Sequence, residues 1–105
     1  MYIKTHEADK GTVIAMCDES LIDKVLIEGE VVIDIKSYQE FYKGELVDGA
    51  RAKSIIGGKG KSSIYSANLI GEESVRVGLD TGIIKRENVM NVMKVPYAHA
   101  YRVDY

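Results

Sequence analysis

The chain has 105 residues and a mass of 11.6 kDa, which fits one domain because a second hydrophobic core would be too small to be stable. Hydrophobic residues make up 46% of the sequence and charged residues 29%, with one Pro and no Trp. This composition is typical of globular proteins and excludes the disordered, collagen-like and disulfide-built classes. The net charge of -2 also excludes a global field that would attract nucleic acid or an anionic membrane, so any such binding must be local.

The compartment is indicated by cysteine usage and hydropathy. Cys17 is the single cysteine, so it cannot form an internal disulfide, and a reducing compartment is expected. The N-terminus turns polar after three residues, unlike a signal peptide, and the longest apolar run, residues 12–17, is far below the roughly 20 residues of a membrane-spanning helix. We therefore expect a cytoplasmic protein without a membrane partner.

The first third of the chain predicts two strands, a helix and a third strand. Residues 1–6 and 12–17 are rich in strand-forming side chains and flank a polar loop that ends at Gly11, a pattern typical of a hairpin. Asp18 is a candidate N-cap for a helix over residues 19–26, whose apolar side chains recur at helical spacing. Gly29 would end this helix, and the alternation of Val31, Ile33 and Ile35 predicts the clearest strand in the sequence.

The middle of the chain predicts two helical segments. Ser37 and Glu40 have the spacing of a capping box, which favours a single helical turn that ends at Gly44. Asp48 is a candidate cap for a longer helix, which the pair Gly57–Gly58 would end because glycine adopts the left-handed conformation readily.

The last part predicts a strand, a helix and two more strands. Residues 63–67 read as a short strand, and Asn68 as the cap of a helix over residues 69–80, with Gly82 just beyond its end. Residues 89–93 alternate like a strand. Pro96 is predicted to separate them from a final strand because proline donates no ladder hydrogen bond.

This order of elements predicts an α+β fold: one domain over residues 1–105, with a mixed β-sheet and about three helices packed on it. The expected core consists of Ile3, Val13, Ile14, Leu21, Val25, Ile33, Ile35, Ile55, Leu69, Val75, Leu79, Val89 and Val92.

A basic segment, residues 51–61, is the most distinctive local feature. It contains Arg51, Lys53, Lys59 and Lys61, and no acidic residue occurs between Asp48 and Glu72. The sequence Gly60-Lys61-Ser62 is similar to the end of a phosphate-binding P-loop, but Ile55 stands where that motif requires glycine, which excludes a nucleotide hydrolase of this type. The segment can still bind a phosphate of RNA or of a small molecule, or it can be a solvated loop.

Catalysis and metal binding have weaker support. Cys17, Asp18 and His99 offer a nucleophile, a carboxylate and a base for a Cys-dependent hydrolase or transferase, but an inert buried thiol beside a helix cap is the favoured interpretation of Cys17. His6 and His99 lack a second ligand at metal-binding spacing. We predict no metal and no cofactor, and we favour a protein that is not an enzyme.

Aromatic residues form a second candidate binding surface. Tyr97, His99, Tyr101 and Tyr105 share one face of the last predicted strand, with Arg102 nearby, and such a face suits base stacking by single-stranded RNA. The alternative is that these rings pack against a helix or a second subunit. Phe41 and Tyr42 form a similar pair, which can be a core plug or a contact site.

Several blocks together resemble the archaeal domain-of-unknown-function family 424. They are Val13–Asp18, Glu28-Gly29, Phe41–Leu46, Ala67–Val75, Gly82–Ile84, Glu87–Val89 and Val95–His99, in order along nearly the whole chain. The resemblance implies a cytoplasmic archaeal protein, and it implies no particular activity. Residues 57–63 depart from the family pattern, where a more regular passage from helix to strand is expected.

Together these patterns favour a small non-catalytic factor associated with RNA or the ribosome. Its expected contact residues are Arg51, Lys53, Lys59 and Lys61, joined by Phe41, Tyr42, Tyr97 and Tyr101. The alternative is a protein-interaction module that forms a homodimer, with the C-terminal strand as the expected contact. No DNA partner is predicted.

Overall fold

The computed structural model describes residues 1–101, and at Lys61 only the backbone. The predicted strand positions Arg102 and Tyr105 therefore lie outside the described residues. Within residues 1–101 the chain forms a six-stranded mixed sheet, a separate two-stranded hairpin and three α-helices, which confirms the predicted α+β class.

The six-stranded sheet has the order β5-β1-β2-β6-β8-β7. Neighbouring strands are antiparallel except β2 and β6, which are parallel. The strands are β1 (Tyr2–Ala8), β2 (Gly11–Cys17), β5 (Glu45–Leu46), β6 (Ile64–Ile70), β7 (Val89–Val92) and β8 (Val95–Tyr101), while β3 (Val25–Glu28) and β4 (Val31–Asp34) form the separate hairpin. The helices are α1 (Gln39–Tyr42), α2 (Gly49–Lys59) and α3 (Glu72–Thr81).

The sheet has two differently covered faces. On one face, α2 and α3 pack on the main core, in which Ile14, Met16 and Leu69 are fully buried. On the other face, a smaller core around Cys17, Ile35 and Ile70 is shared by the β3–β4 hairpin and α1. This second cover reaches only part of the sheet, and the remaining area is called the open face below.

The predicted helix over residues 19–26 is wrong. A single 3₁₀ turn spans Glu19–Leu21, and the chain then enters β3, which pairs with β4 across a tight turn at Gly29. Gly29 has a φ of 61°, as a two-residue hairpin turn requires, so it joins two strands and does not end a helix. The β-branched residues of this stretch favour strands. As a result Val25 is 42% exposed and not part of the core, whereas Ile35 is buried and Ile33 half-buried as expected.

The strand predicted over residues 63–67 is longer than expected, and the helix after it starts later. Asn68 is not a helix cap, because it lies within β6 between Ala15 of β2 and His99 of β8. Pairing on both sides keeps the chain extended to Ile70, and α3 then begins at Glu72 after Gly71. Its end is as expected, since Gly82 adopts the left-handed conformation with a φ of 79°.

Pro96 does not separate two strands. The turn between β7 and β8 lies at Met93 and Lys94, which both have positive φ, and Pro96 lies inside β8 opposite Asn91. Its carbonyl accepts the N–H of Gly71, on the side away from β7. Because the N and O of one strand residue point to the same side, the missing N–H of Pro96 costs no bond to β7.

Some of the predicted helix caps are confirmed and others are wrong. Asp48 caps α2 as predicted, with its carboxylate accepting the N–H of Arg51 at 2.8 Å. The predicted capping box of Ser37 and Glu40 is replaced by Asp34, which accepts the N–H of Ser37 at 3.0 Å. Gly57 and Gly58 do not end α2, which continues to Lys59 with Gly60 as its C-cap.

Candidate functional site

The predicted basic segment contains no acidic residue, but the fold brings acidic residues from other parts of the chain next to it. Three of its cations form ion pairs with acids that α2 does not contain: Arg51 with Glu45 at 3.1 Å, Lys53 with Asp80 at 3.0 Å and Lys59 with Glu7 at 3.1 Å. The bonds from Lys59 and Thr12 hold the pKa of the Glu7 carboxyl below its usual range. All three pairs are exposed, so each is weak and can exchange for another anion.

The same segment is also spread along the helix. Arg51 lies in the first turn of α2 and Lys59 is its last residue, about 12 Å further along the axis. Lys59 reaches Glu7 near the end of β1, beside the β1–β2 loop. Lys61 lies in a 3₁₀ turn after α2, and its side chain is outside the described part of the structure. The four predicted cations are therefore not one compact site.

A cluster of rings lies at the edge of the open face near the β1–β2 loop. The ring of Tyr101 on β8 is 6.0 Å from that of Tyr65 on β6 and 4.5 Å from the imidazole of His99. The ammonium of Lys10, in the β1–β2 loop, lies 5.8 Å from the centre of the Tyr65 ring. Tyr101 is 64% exposed and His99 is also exposed. These four residues, Lys10, Tyr65, His99 and Tyr101, are called the aromatic patch.

Strand alternation also determines which side chains share the sheet face of His99 and Tyr101. On β1, β2, β6 and β8 these are the positions in register with the two residues, such as Lys4, Asn68 and the fully buried Ala15. None of these described positions carries Asp or Glu. Two acids, Glu7 and Asp9, lie at the β1–β2 loop beside the patch. At the opposite end of β2 and β6, Asp18, Glu19, Glu72 and Glu73 line a crevice of about 480 Å³.

This acidic crevice lies at the C-terminal ends of the two parallel strands, which is where many α/β proteins bind anionic ligands at a helix N-terminus. Here the chain supplies its own anion. The carboxylate of Asp18 accepts the N–H of Glu73 at 3.1 Å, the N–H of Ser74 at 2.9 Å and the hydroxyl of Ser74 at 2.9 Å. Asp18 therefore caps α3 across the fold, and not the local helix that the sequence predicted.

The other predicted aromatic residues lie away from the aromatic patch. Tyr97 is on the same strand face as Tyr101 but half-buried against the smaller core. Phe41 stacks on the imidazole of His6, with ring centres 4.7 Å apart, and Tyr42 packs into the smaller core. Burial raises the pKa of Tyr42 to about 12. Of the eight predicted contact residues, only Tyr101 belongs to the aromatic patch.

The structure does not bring Cys17 and His99 together. In register, Cys17 of β2 lies opposite Ile70 and then Tyr97, so His99 is two strands away and two residues further along, a separation of roughly 12 Å from strand spacings. The thiol is fully buried, and burial, with the nearby Asp18 carboxylate, raises its pKa to about 12. A protonated thiol without a base has no route to nucleophilic attack at neutral pH.

Sequence reasoning missed Lys10 and Tyr65. Tyr65 occupies a bulge in β6, because Thr12 pairs with Ile64 and Val13 already pairs with Ser66. The bulge brings its ring to the side of Tyr101, 36 residues away in sequence. The sequence placed Tyr65 in a predicted strand, but it could not predict that Tyr101 would be its neighbour. That contact depends on the order of the strands in the sheet, which sequence periodicity does not specify.

Within residues 1–101, no helix has the length and apolar character needed to cross a bilayer. In the same part of the chain, His, Cys, Asp and Glu form no group of three or more that could hold a metal ion.

Comparison with known proteins places the chain among others of the same fold. The model of a family described as "Protein of unknown function (DUF424)" matches residues 5–103. The chain is also similar to an uncharacterised conserved protein from Methanopyrus kandleri, with a TM-score of 0.79 and 22% identity over 99% of this chain and 92% of that chain. At this identity the similarity shows the fold alone. A comparison with curated proteins gives no match.

Proposed function

The chain belongs to the family DUF424, and we propose that this member is a non-catalytic, cytoplasmic factor associated with RNA or the ribosome. In this proposal it holds single-stranded RNA on the aromatic patch. The observation that carries it is the contact of Tyr65, His99 and Tyr101 on an exposed part of the sheet, with a cation beside them.

Stacking supplies the binding energy in this arrangement. Every base has a π-face, and stacking on an aromatic side chain contributes about 1–3 kcal/mol per base with little dependence on sequence. Tyr101 is 64% exposed, so its ring is accessible to a base, and stacking removes apolar ring surface from water. The rings lie on neighbouring strands, which supports two adjacent bases of a splayed single strand and not a base-paired helix.

The distribution of charges also favours RNA binding at the end of the sheet near the β1–β2 loop. Lys10 lies in the patch, whereas Lys59 lies at the same end of the sheet but on the face covered by α2, where its exposed pair with Glu7 can exchange for a phosphate. The acids of the crevice lie at the other end of β2 and β6. The acidic crevice repels a polyanion, so we expect RNA to approach at the β1–β2 loop, where the cations Lys10 and Lys59 accompany the two acids Glu7 and Asp9.

Fluorescence anisotropy with a short labelled oligouridine tests this proposal. Tyr101→Leu keeps the bulk but removes the ring, and we expect affinity at low salt to fall by about 5- to 150-fold. Tyr38→Leu is the matched control, because Tyr38 is 65% exposed but belongs to the α1 region. Absence of saturable binding by the wild type, or equal losses in the two variants, would refute the aromatic patch as an RNA site.

Salt dependence tests the contribution of the cations. Two phosphate contacts, from Lys10 and Lys59, give a log–log slope of about -1.4 on a single strand, whereas a compact site of four cations would give about -3. The double variant Lys59→Ala, Lys61→Ala should make the slope shallower. An unchanged slope would exclude the end of the predicted basic segment from the contact surface, and a wild-type slope near -3 would restore all four cations.

A second candidate function, a protein-interaction module that forms a homodimer, is favoured by the β3–β4 hairpin. Its outer face exposes Val25, Ile27 and Val32 at 42%, 56% and 59%. Apolar side chains contiguous on one strand face are typical of a contact surface. The C-terminal strand is less suited to the predicted contact, because β8 lies between β6 and β7.

Light scattering at micromolar concentration distinguishes a dimer from the 11.6 kDa monomer. If the hairpin is the interface, Ile27→Lys converts a dimer to a monomer, and Tyr101→Leu leaves it intact. A wild type that is monomeric throughout this range excludes the dimer.

A further inference from the structure

A small cavity opens between the end of β4 and α1, on the side of the smaller core. It has a volume of about 370 Å³ and is lined by Ile33, Asp34, Ile35, Tyr38, Phe41 and Tyr42. This volume is near the lower limit for ligand pockets, so it suits one head group or side-chain end better than a nucleotide. The lining residues are two isoleucines, three aromatic residues and one aspartate.

The sequence explains why the three rings converge. Tyr38, Phe41 and Tyr42 have the spacing i, i+3 and i+4, which places them on one side of the helical segment 36–42. The segment begins where the carboxylate of Asp34 accepts the N–H of Ser37 at 3.0 Å, so a residue that lines the cavity also fixes the turn that carries the rings. All the lining residues therefore come from one short stretch of chain, residues 33–42.

Contacts outside the cavity fix the positions of two of its aromatic rings. The rings of Phe41 and Tyr42 lie 5.0 Å apart and are nearly perpendicular, at 89°. His6 of β1 stacks on the Phe41 ring, 4.7 Å away at 9°, and its Nε2 lies 2.8 Å from the Phe41 carbonyl. Tyr42 is fixed in the smaller core, whereas Tyr38 is 65% exposed at the rim. Two walls are thus preorganised, and the third is accessible.

One acidic residue, Asp34, lies at the cavity. Hydrogen bonds from Ser37 hold the pKa of the Asp34 carboxyl below its usual range, so it is ionised at neutral pH. The neighbouring cation is Lys36, two residues on, but among the described residues no ion pair within 4.0 Å includes Asp34. A carboxylate beside aromatic faces attracts a cation, because the ring faces also carry negative potential.

We propose that this cavity binds a methylated ammonium group, as carried by a quaternary amine or a trimethylated lysine side chain. The methyl groups contact the rings and the aliphatic side chains, and the positive charge is attracted by the ring faces and by Asp34. An unmodified lysine ammonium is strongly hydrated and loses more on entering an apolar cavity. An anion is repelled by Asp34. This inference is independent of RNA binding.

A titration with a charged ligand and its neutral isostere tests the proposal. Choline and 3,3-dimethyl-1-butanol have nearly the same shape but differ in charge, and their binding is followed by chemical-shift changes in the full chain. Choline should bind about two- to thirtyfold more tightly, the range expected for exposed to desolvated cation–π contacts. A peptide with one trimethyllysine, compared with free choline, shows whether a side chain or a small molecule is the better source.

Substitutions at two lining residues test their roles. Tyr38→Leu should weaken choline binding several-fold while Tyr38→Phe retains it, because the ring and not the hydroxyl is required. Asp34→Asn keeps an acceptor for the N–H of Ser37 but removes the charge, and should also weaken binding. Tyr101→Leu is the control outside the cavity. Equal affinity for choline and its neutral isostere, or no shift with either at millimolar concentration, would overturn the proposal.

Discussion

Replacing Asp18 with alanine should destabilise the protein far more than an ordinary surface substitution. Asp18 joins the end of β2 to the start of α3, and its carboxylate accepts three hydrogen bonds from residues 55 and 56 positions away. Loss of an N-cap costs about 0.5–2 kcal/mol. Ser74 is fully buried, so its hydroxyl and N–H lose their partner, which adds about 1–3 kcal/mol. We expect a loss of about 2–4 kcal/mol in the free energy of unfolding.

Urea denaturation measures this loss, and a matched control isolates its cause. Asp48→Ala removes a cap with a single bond within its own helix, to Arg51, and should cost about 1 kcal/mol. Asp18→Asn retains one acceptor oxygen and should lie between wild type and Asp18→Ala.

A double-mutant cycle tests the pairing itself. In a Ser74→Ala background the hydroxyl is absent, so Asp18→Ala should cost less than in the wild type. The reasoning is refuted if Asp18→Ala costs no more than Asp48→Ala, or if the substitutions at Asp18 and Ser74 are additive.

Four other substitutions or treatments have expected outcomes. Gly57→Ala should stabilise α2 by up to about 1 kcal/mol, since a Cβ there meets nothing within 4 Å, and a drop in the urea midpoint would contradict this. Gly78→Ala should destabilise by about 1–3 kcal/mol in the same assay, because its Cβ would press on Leu69 and Ile84 in the core, and a gain would show that the core yields. Cys17 should resist iodoacetamide at neutral pH until the chain unfolds, and rapid native labelling would revive the hydrolase hypothesis. The free energy of unfolding should also fall with rising pH between about 9 and about 12, since the unfolded thiol ionises first, and Cys17→Ala should reduce this slope.

Features governed by nearby residues were predictable from the sequence. The β1–β2 hairpin, the Asp48 cap of α2 and the end of α3 at Gly82 depend on interactions within a few positions, so local patterns contain the necessary information. The α+β class was also predictable, because the order of helices and strands follows from the same local patterns. The prediction of a helix after Asp18 failed because a short apolar run, with apolar residues at positions 21, 22, 25 and 26, is compatible with either a helix or a strand. Only the pairing of β3 with β4 decides between the two structures.

The binding surfaces depend on contacts that local patterns do not specify. The cations of α2 form an acid-free run in sequence, yet Glu7 and Asp80 reach them once the sheet and helices pack, because charges interact through space. Tyr65 and Tyr101 meet only because β6 and β8 are neighbours in the strand order. By itself the sequence determined the fold class, the local caps and turns and the absence of an internal disulfide. The tertiary structure decided which charges are neutralised, which rings meet and that Asp18 caps α3, since these pairs depend on packing between elements far apart in the chain.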